Sequence, residues 1–302
     1  MDCPKPIIIR TDSNPNGLLV GCGKCALCRI QKRREWSMRM VHERGYHDSC
    51  MFLTLTYNDE NLPYHYPETA NNRPVYPTLE REALQKFFKR LRKQLPTDKK
   101  IKYFACGEYG PKNQRPHYHA IIFGLDPLSK FDRELIKSAW QLCDWSKEIE
   151  EGSFGFVSGA SIDYVSQYVA KKHSGKKADD LYKALNRENV FSLKSNGIGK
   201  QFALDNKKYL YQQKLTYNGS PVSIPRYYIK LLDLPPEPRI LKSFEEECAL
   251  VKSITGYDMT IEELRKKDYS QYKKYTQKKC NSARQKLREY HTKQEHINNK
   301  KL

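Results

Sequence analysis

The stretch Arg115-Pro116-His117-Tyr118-His119-Ala120-Ile121-Ile122-Phe123 constrains this chain more than any other, because two histidines open an apolar run that reads as a β-strand. Side chains at i and i+2 of a strand point to the same face. His117 and His119 therefore face one way, and their imidazoles can converge on one metal ion. About forty residues later comes Tyr164-Val165-Ser166-Gln167-Tyr168-Val169-Ala170-Lys171-Lys172. On a helix, Tyr164, Tyr168 and Lys171 fall within an arc of roughly 60°. Each motif is weak by itself: His-x-His occurs by chance, and paired tyrosines are ordinarily a core stripe with wet hydroxyl ends. Together they offer what covalent cutting of a phosphodiester requires: two metal ligands, and one helix face carrying two phenols and an ammonium.

With these residues in view, the chain resembles the HUH endonucleases of rolling-circle replication. It is most similar to the replication initiation proteins of the microviruses, in particular the gokushovirus branch. Three stretches carry the likeness: the strand Phe52-Leu53-Thr54-Leu55-Thr56-Tyr57, the His117-Tyr118-His119 motif, and Val165-Ser166-Gln167-Tyr168-Val169-Ala170-Lys171, with Tyr164 as the extra tyrosine of the two-tyrosine class. The span is residues 52 to 172. The resemblance implies a ferredoxin-like sheet of the HUH type. It also implies nicking and rejoining of single-stranded phage origin DNA through a 5′-phosphotyrosine, with host polymerase and helicase as partners.

Composition agrees with a nucleic-acid partner. The 302 residues carry a formal net charge of +19, spread along the chain, which favours a polyanion. Twenty-one tyrosines beside 54 Lys and Arg suit single-stranded DNA, where bases stack on rings while cations follow phosphates. No apolar run of about 18 residues is present, so a membrane span is not expected. Met1-Asp2-Cys3-Pro4-Lys5-Pro6 lacks the apolar core of a secretory signal. The expected location is cytoplasmic, which for a phage protein is the host bacterium. Nine cysteines in a reducing compartment do not read as a disulfide framework.

Four segments are expected: a Cys-rich segment with a basic helix over 1–45, an endonuclease core over 46–175, an irregular and hairpin extension over 176–240, and a basic helical region over 241–302. Residues 1–28 read as loop. Within them, Cys22, Cys25 and Cys28 have metal-knuckle spacing, and Cys3 offers a fourth ligand for tetrahedral zinc. An iron–sulfur pattern begins the same way but lacks its nearby fourth Cys and following Pro, and free thiols in a turn are the plain alternative. A basic helix follows to about residue 45. The core reads as a strand over 51–57, a helix over 78–95, strands over 101–108 and 117–124, a helix over 132–145, a strand over 154–158, and the tyrosine helix with Ser161 as N-cap. That order gives an α+β fold, an antiparallel sheet with packed helices. Residues 173–215 are polar, Tyr217-Asn218-Gly219-Ser220 signals a hairpin, and the pattern is helical from about 243. The basic tail after 269 is either a solvated helix or a DNA contact.

A phenol with a pKa near 10 is about 0.1% ionised at neutral pH and needs help to attack phosphorus. A divalent ion on the nonbridging oxygens supplies it. Glu108 is the expected third ligand, since it ends the strand before the histidine strand and antiparallel pairing brings it alongside. Imidazole with carboxylate suits Mg²⁺ or Mn²⁺, although imidazoles also accept Zn²⁺. Tyr168 is expected to cut first, three residues before Lys171, which would neutralise an oxyanion; Tyr164 lies about 6 Å away, one turn back. The competing readings are a sequence-specific DNA-binding regulator without catalysis and a metal-dependent nuclease that uses water.

Overall fold

Hydrophobic alternation organises the amino end more than its turn residues suggest. The computed structural model describes the chain except residues 1–2, 13, 66–74, 112, 172–181, 213–214, 218–219, 235–237 and 300–302. Residues 1–28 are not loop as expected: β1 (Ile7–Thr11) and β2 (Asn14–Val20) pair antiparallel, with Ile7 opposite Val20 and Ile9 opposite Leu18. The β-branched run Ile7-Ile8-Ile9 fits a pleated surface better than a coil. The basic helix α1 (Ala26–Arg44) follows, close to its expected span.

By contacts the chain groups into two units, one of residues 33–207 and one of residues 1–32 with 208–302. The first is built on a five-stranded sheet in the order β6-β3-β5-β4-β7, formed by β3 (Cys50–Leu55), β4 (Lys102–Tyr109), β5 (Pro116–Phe123), β6 (Phe154–Phe156) and β7 (Phe191–Lys194). Every pairing in it is antiparallel. Strand β7 was hidden in the polar stretch 173–215. It is only four residues long and lies at the sheet edge, where one side needs no apolar cover.

Alternation along β5 sends its side chains into two cores. Tyr118, Ala120 and Ile122 pack with Leu53, Leu55 and α2 (Arg81–Gln94), whose buried stripe is Leu84, Phe87, Phe88 and Leu91. Burying each of these large side chains is worth about 1.5–3 kcal/mol. On the other face, Ile121 and Phe123 pack with Phe104, Met40 of α1, and Ile162 and Val165 of α5 (Gly159–Lys171). The expected helix over 132–145 is two shorter ones, α3 (Lys130–Ala139) and α4 (Lys147–Ser153). The break falls at Trp140, which is fully buried and donates from its indole Nε1 to the Thr56 carbonyl at 2.7 Å, and Ser146 caps α4. The cap of α5 is also corrected. Ser158, not Ser161, holds it: the Ser158 hydroxyl accepts from the Ser161 amide at 3.2 Å.

The second unit is mainly helical, with α6 (Pro238–Thr255), α7 (Ile261–Lys267) and α8 (Tyr269–Asn299). Thr260 and Glu263 form a reciprocal capping box at the start of α7. Val251, Ile261, Leu264 and Tyr275 make its core, joined by Ile8 of β1, and Arg10 pairs with Glu262 at 3.0 Å. The basic tail is therefore a packed helix over part of its length: Tyr275 is buried and Lys279 pairs with Glu247 at 2.8 Å. The short strands Thr216–Tyr217 and Ser220–Pro221 pair as the hairpin expected there; its turn residues 218–219 lie outside the described residues. Among the described residues no helix is long and apolar enough to cross a membrane.

Candidate active site

The face of β5 that buries Ile121 and Phe123 becomes polar at its amino end, where His119 and His117 stand. Antiparallel register sets Glu108 of β4 opposite His117, and Cys106 opposite His119. One carboxylate oxygen, Glu108 Oε1, lies 3.2 Å from His117 Nε2 and 3.0 Å from His119 Nε2. The three ligand atoms lie within 4.8 Å of one another. Two imidazole nitrogens and a carboxylate oxygen so gathered fit a divalent ion with open positions.

The distal ring nitrogens are held as well. His117 Nδ1 is 3.1 Å from the Arg115 carbonyl, which can only accept, so that nitrogen carries the proton. His119 Nδ1 is 3.1 Å from the Thr54 hydroxyl. A neutral His119 protonated there donates to Thr54 and keeps its Nε2 lone pair toward Glu108. Such outer partners orient ligating histidines and fix their tautomer. Phe52, two residues before Thr54 on β3, stacks on His119 with ring centroids 5.6 Å apart and meets Tyr164 edge-on at 6.4 Å.

Helix α5 brings both tyrosines to the same carboxylate. The Tyr164 hydroxyl donates to Glu108 Oε1 at 2.9 Å and lies 3.4 Å from His119 Nε2. Tyr168 also hydrogen-bonds Glu108 and Tyr164, and the two phenol rings meet edge-on with centroids 5.5 Å apart. Their surroundings differ: Tyr164 is 38% exposed and Tyr168 only 4%. Ser37 of α1 fixes the helix, with its hydroxyl 2.9 Å from Asp163 Oδ1 and 2.8 Å from the Ser166 hydroxyl. Lys171 closes α5, but its side chain lies outside the described residues, as does Lys172.

Electrostatics follow from burial against contact. Burial alone would raise the Glu108 carboxyl; hydrogen bonds from His117, His119, Tyr168 and Tyr164 prevail and hold it well below the usual carboxylate range. Burial would lower His117, but Glu108 and the Arg115 carbonyl raise it. Both phenols are pushed up, first by burial and then by the neighbouring Glu108 charge, Tyr168 further than Tyr164. An anionic carboxylate ringed by two imidazoles and two phenols is a site built for a cation.

Every residue expected at the catalytic site and described in full is in this cluster: His117, His119, Glu108, Tyr164 and Tyr168. Sequence reasoning missed Thr54 and Phe52 as members. Their signal was present in the first strand motif, whose alternate residues Phe52 and Thr54 share a face. The four expected cysteines are also together: the Sγ atoms of Cys3, Cys22, Cys25 and Cys28 lie within 4.8 Å of one another.

Comparison with known proteins agrees on one kind of relative. The family of replication-associated proteins of the ORF2 type matches residues 50–173. Replication-associated protein ORF2 of Spiroplasma virus 4 is 32% identical over 74% of this chain and 69% of its own length. Replication-associated protein VP4 of Bdellovibrio phage phiMH2K is 30% identical over 68% and 65%, and ORF4 of Chlamydia phage 1 is 28% identical over 70% and 53%. Among solved structures, the N-terminal nuclease domain of the minute virus of mice non-structural protein-1 aligns with 62% of this chain and 83% of that one. Its identity is 11% and its TM-score 0.21, and nothing about this chain follows from so slight a likeness.

Proposed function

The chain belongs to the microvirus-type family of replication-associated proteins, and from that premise we propose that it nicks and rejoins single-stranded origin DNA through a tyrosine adduct. One observation carries the reading: two phenol hydroxyls and two imidazoles meet at the single carboxylate of Glu108. A regulator that only binds DNA has no use for that convergence. A nuclease that activates water would use the ligands but not the phenols.

Glu108, His117 and His119 would hold a divalent ion, Mg²⁺ or Mn²⁺. When bound, such an ion withdraws charge from the nonbridging oxygens of the scissile phosphate. The remaining work falls to the chain. Thr54 and the Arg115 carbonyl keep both imidazoles turned toward Glu108. Tyr168, in the family's motif position, takes the first cut: its phenolic oxygen bonds to phosphorus, the bond from phosphorus to the 3′ oxygen breaks, and the phenolic proton is released. The departing 3′ oxygen gains a proton and becomes the free 3′-hydroxyl from which a host polymerase extends, with a host helicase opening the duplex. Lys171 neutralises the charge that builds on that oxygen. Because Tyr168 is buried and bonded to Glu108, entry of ion and DNA must first free its hydroxyl. Tyr164, one turn back and more exposed, makes the second cut while Tyr168 holds the first 5′ end.

The deciding experiment is incubation of the protein with Mn²⁺ and single-stranded oligonucleotides tiling its own origin, followed by denaturing electrophoresis and peptide mass analysis. A DNA-linked protein band with the adduct on Tyr168 is expected. Cleavage without an adduct would replace the tyrosine mechanism by water attack, and tight binding without cleavage would leave a regulator. In either form the action is in the host cell, where phage DNA is copied.

A further inference from the structure

The cysteine cluster takes no part in the chemistry above, and it belongs to the other unit, of residues 1–32 with 208–302. Cys3 precedes β1, Cys22 follows β2, and Cys25 and Cys28 flank the start of α1. Their four sulfurs are mutually close, yet all four cysteines are free thiols. Cys25 Sγ and Cys3 Sγ are 3.9 Å apart. That is far beyond a disulfide bond of about 2.05 Å. It is close to the edge of a tetrahedron of sulfurs about 2.3 Å from a central zinc, which works out at about 3.8 Å.

The backbone is shaped around the sulfurs. The Cys22 amide donates to Cys3 Sγ at 3.3 Å, the Cys25 amide to Cys22 Sγ at 3.4 Å, and the Cys28 amide to Cys25 Sγ at 3.4 Å. Amides aimed at sulfur favour the thiolate form that metals bind. The turn between the first two knuckle cysteines passes through Gly23 at φ +73°, and a Cβ on Gly21 would stand 2.7 Å from Cys28 Sγ. Both glycines thus make room for the sulfur cluster. The remaining five cysteines, Cys50, Cys106, Cys143, Cys248 and Cys280, join no such group among the described residues.

We propose that Cys3, Cys22, Cys25 and Cys28 form a tetrathiolate site for one structural Zn²⁺. Binding exchanges four thiol protons for four Zn–S bonds, with no change of oxidation state. The ion closes the open end of the β1–β2 hairpin and ties it to the first turn of α1, cross-linking residues 3 to 28. A two-stranded hairpin is marginal alone. This one packs Ile8 into the helical core and pairs Arg10 with Glu262, so the clip holds a contact surface for α6 and α7 in place. Zinc stays coordinatively closed here, with four protein ligands and no open position, and is therefore structural.

The test uses the full chain, purified under reducing conditions without chelator. Elemental analysis should find about one zinc per chain, retained in the His117→Ala/His119→Ala variant and lost in Cys22→Ser/Cys25→Ser. Because loss of zinc in the cysteine variant is also the result of simple misfolding, Co²⁺ is added to reduced, metal-stripped wild-type protein as a second measurement. The intense sulfur-to-cobalt charge-transfer absorption and visible bands of a tetrahedral tetrathiolate site are expected, and added Zn²⁺ should bleach them. Absence of both zinc and that absorption would overturn the proposal. So would zinc that follows the histidines, or disulfides among these four cysteines in freshly purified protein.

Discussion

The two clusters of metal-ligating side chains are assembled by opposite means. Glu108, His117 and His119 come from neighbouring strands of a sheet buried on both faces, and pairing register places them. Cys22, Cys25 and Cys28 come from one seven-residue stretch with Cys3 added from across a hairpin, and local spacing places them. The first cluster rests on a core that exists without it. The second sits where little apolar burial holds the chain. Losing ligands should therefore silence one region without unfolding it, and loosen the other without silencing the enzyme.

The largest effect expected is from Tyr168→Phe. It should abolish the first cleavage of an origin oligonucleotide while DNA affinity stays within about threefold, under 1 kcal/mol. Undiminished cleavage would move the first cut to Tyr164. Next comes His119→Ala or His117→Ala, whose loss of nicking should exceed the roughly 10–100-fold typical of a supporting partner. It should also exceed the loss from Glu108→Ala, since water replaces a carboxylate oxygen more readily. The melting midpoint should move by less than about 4 °C, around 1 kcal/mol. Collapse of the fold on removing a histidine would erase the contrast between the regions. EDTA should stop wild-type cleavage, and activity that survives it would remove the metal from the mechanism.

The Cys22→Ser change should act the other way, lowering the unfolding midpoint by about 10 °C while nicking per folded molecule is unchanged. A drop in cleavage at full stability would show that the cysteines serve the chemistry instead. Product analysis separates the tyrosines: Tyr164→Phe should nick once and form an adduct yet fail to release unit-length circles in a replication assay. Normal circles would leave Tyr164 as a packing residue. The smallest effect is expected from Thr54→Val, which removes the hydroxyl beside His119 Nδ1. Mn²⁺ affinity, measured by calorimetry, should fall about tenfold, and Thr54→Ser should restore it. Equal affinity in all three proteins would reduce Thr54 to a strand residue.

Legibility tracked the range of the interactions involved. The helix α2 was readable because Leu84, Phe87, Phe88 and Leu91 repeat at helical spacing. The hairpin β1–β2 was not, because the Asp12 to Gly17 stretch looked like turn and the strands' partners lie in helices more than two hundred residues away. Strand β7 carries no strong periodicity and exists by pairing with β4. The break between α3 and α4 depends on where Trp140 finds a carbonyl, Thr56, that no local pattern reveals.

The sequence by itself determined which side chains share a face. Period two on β5 puts His117 with His119, a four-residue spacing on α5 puts Tyr164 with Tyr168, and the knuckle spacing gathers three thiols. These follow from backbone geometry alone, so they hold wherever the elements lie. Only the tertiary structure decided that the two faces meet: α5 packs over the histidine side of the sheet, and both phenols reach Glu108. It also decided that Thr54, 65 positions from His119, holds the ring's other nitrogen. Such contacts depend on sheet order and helix docking, which arise from burial summed over the whole unit and are written in no single motif.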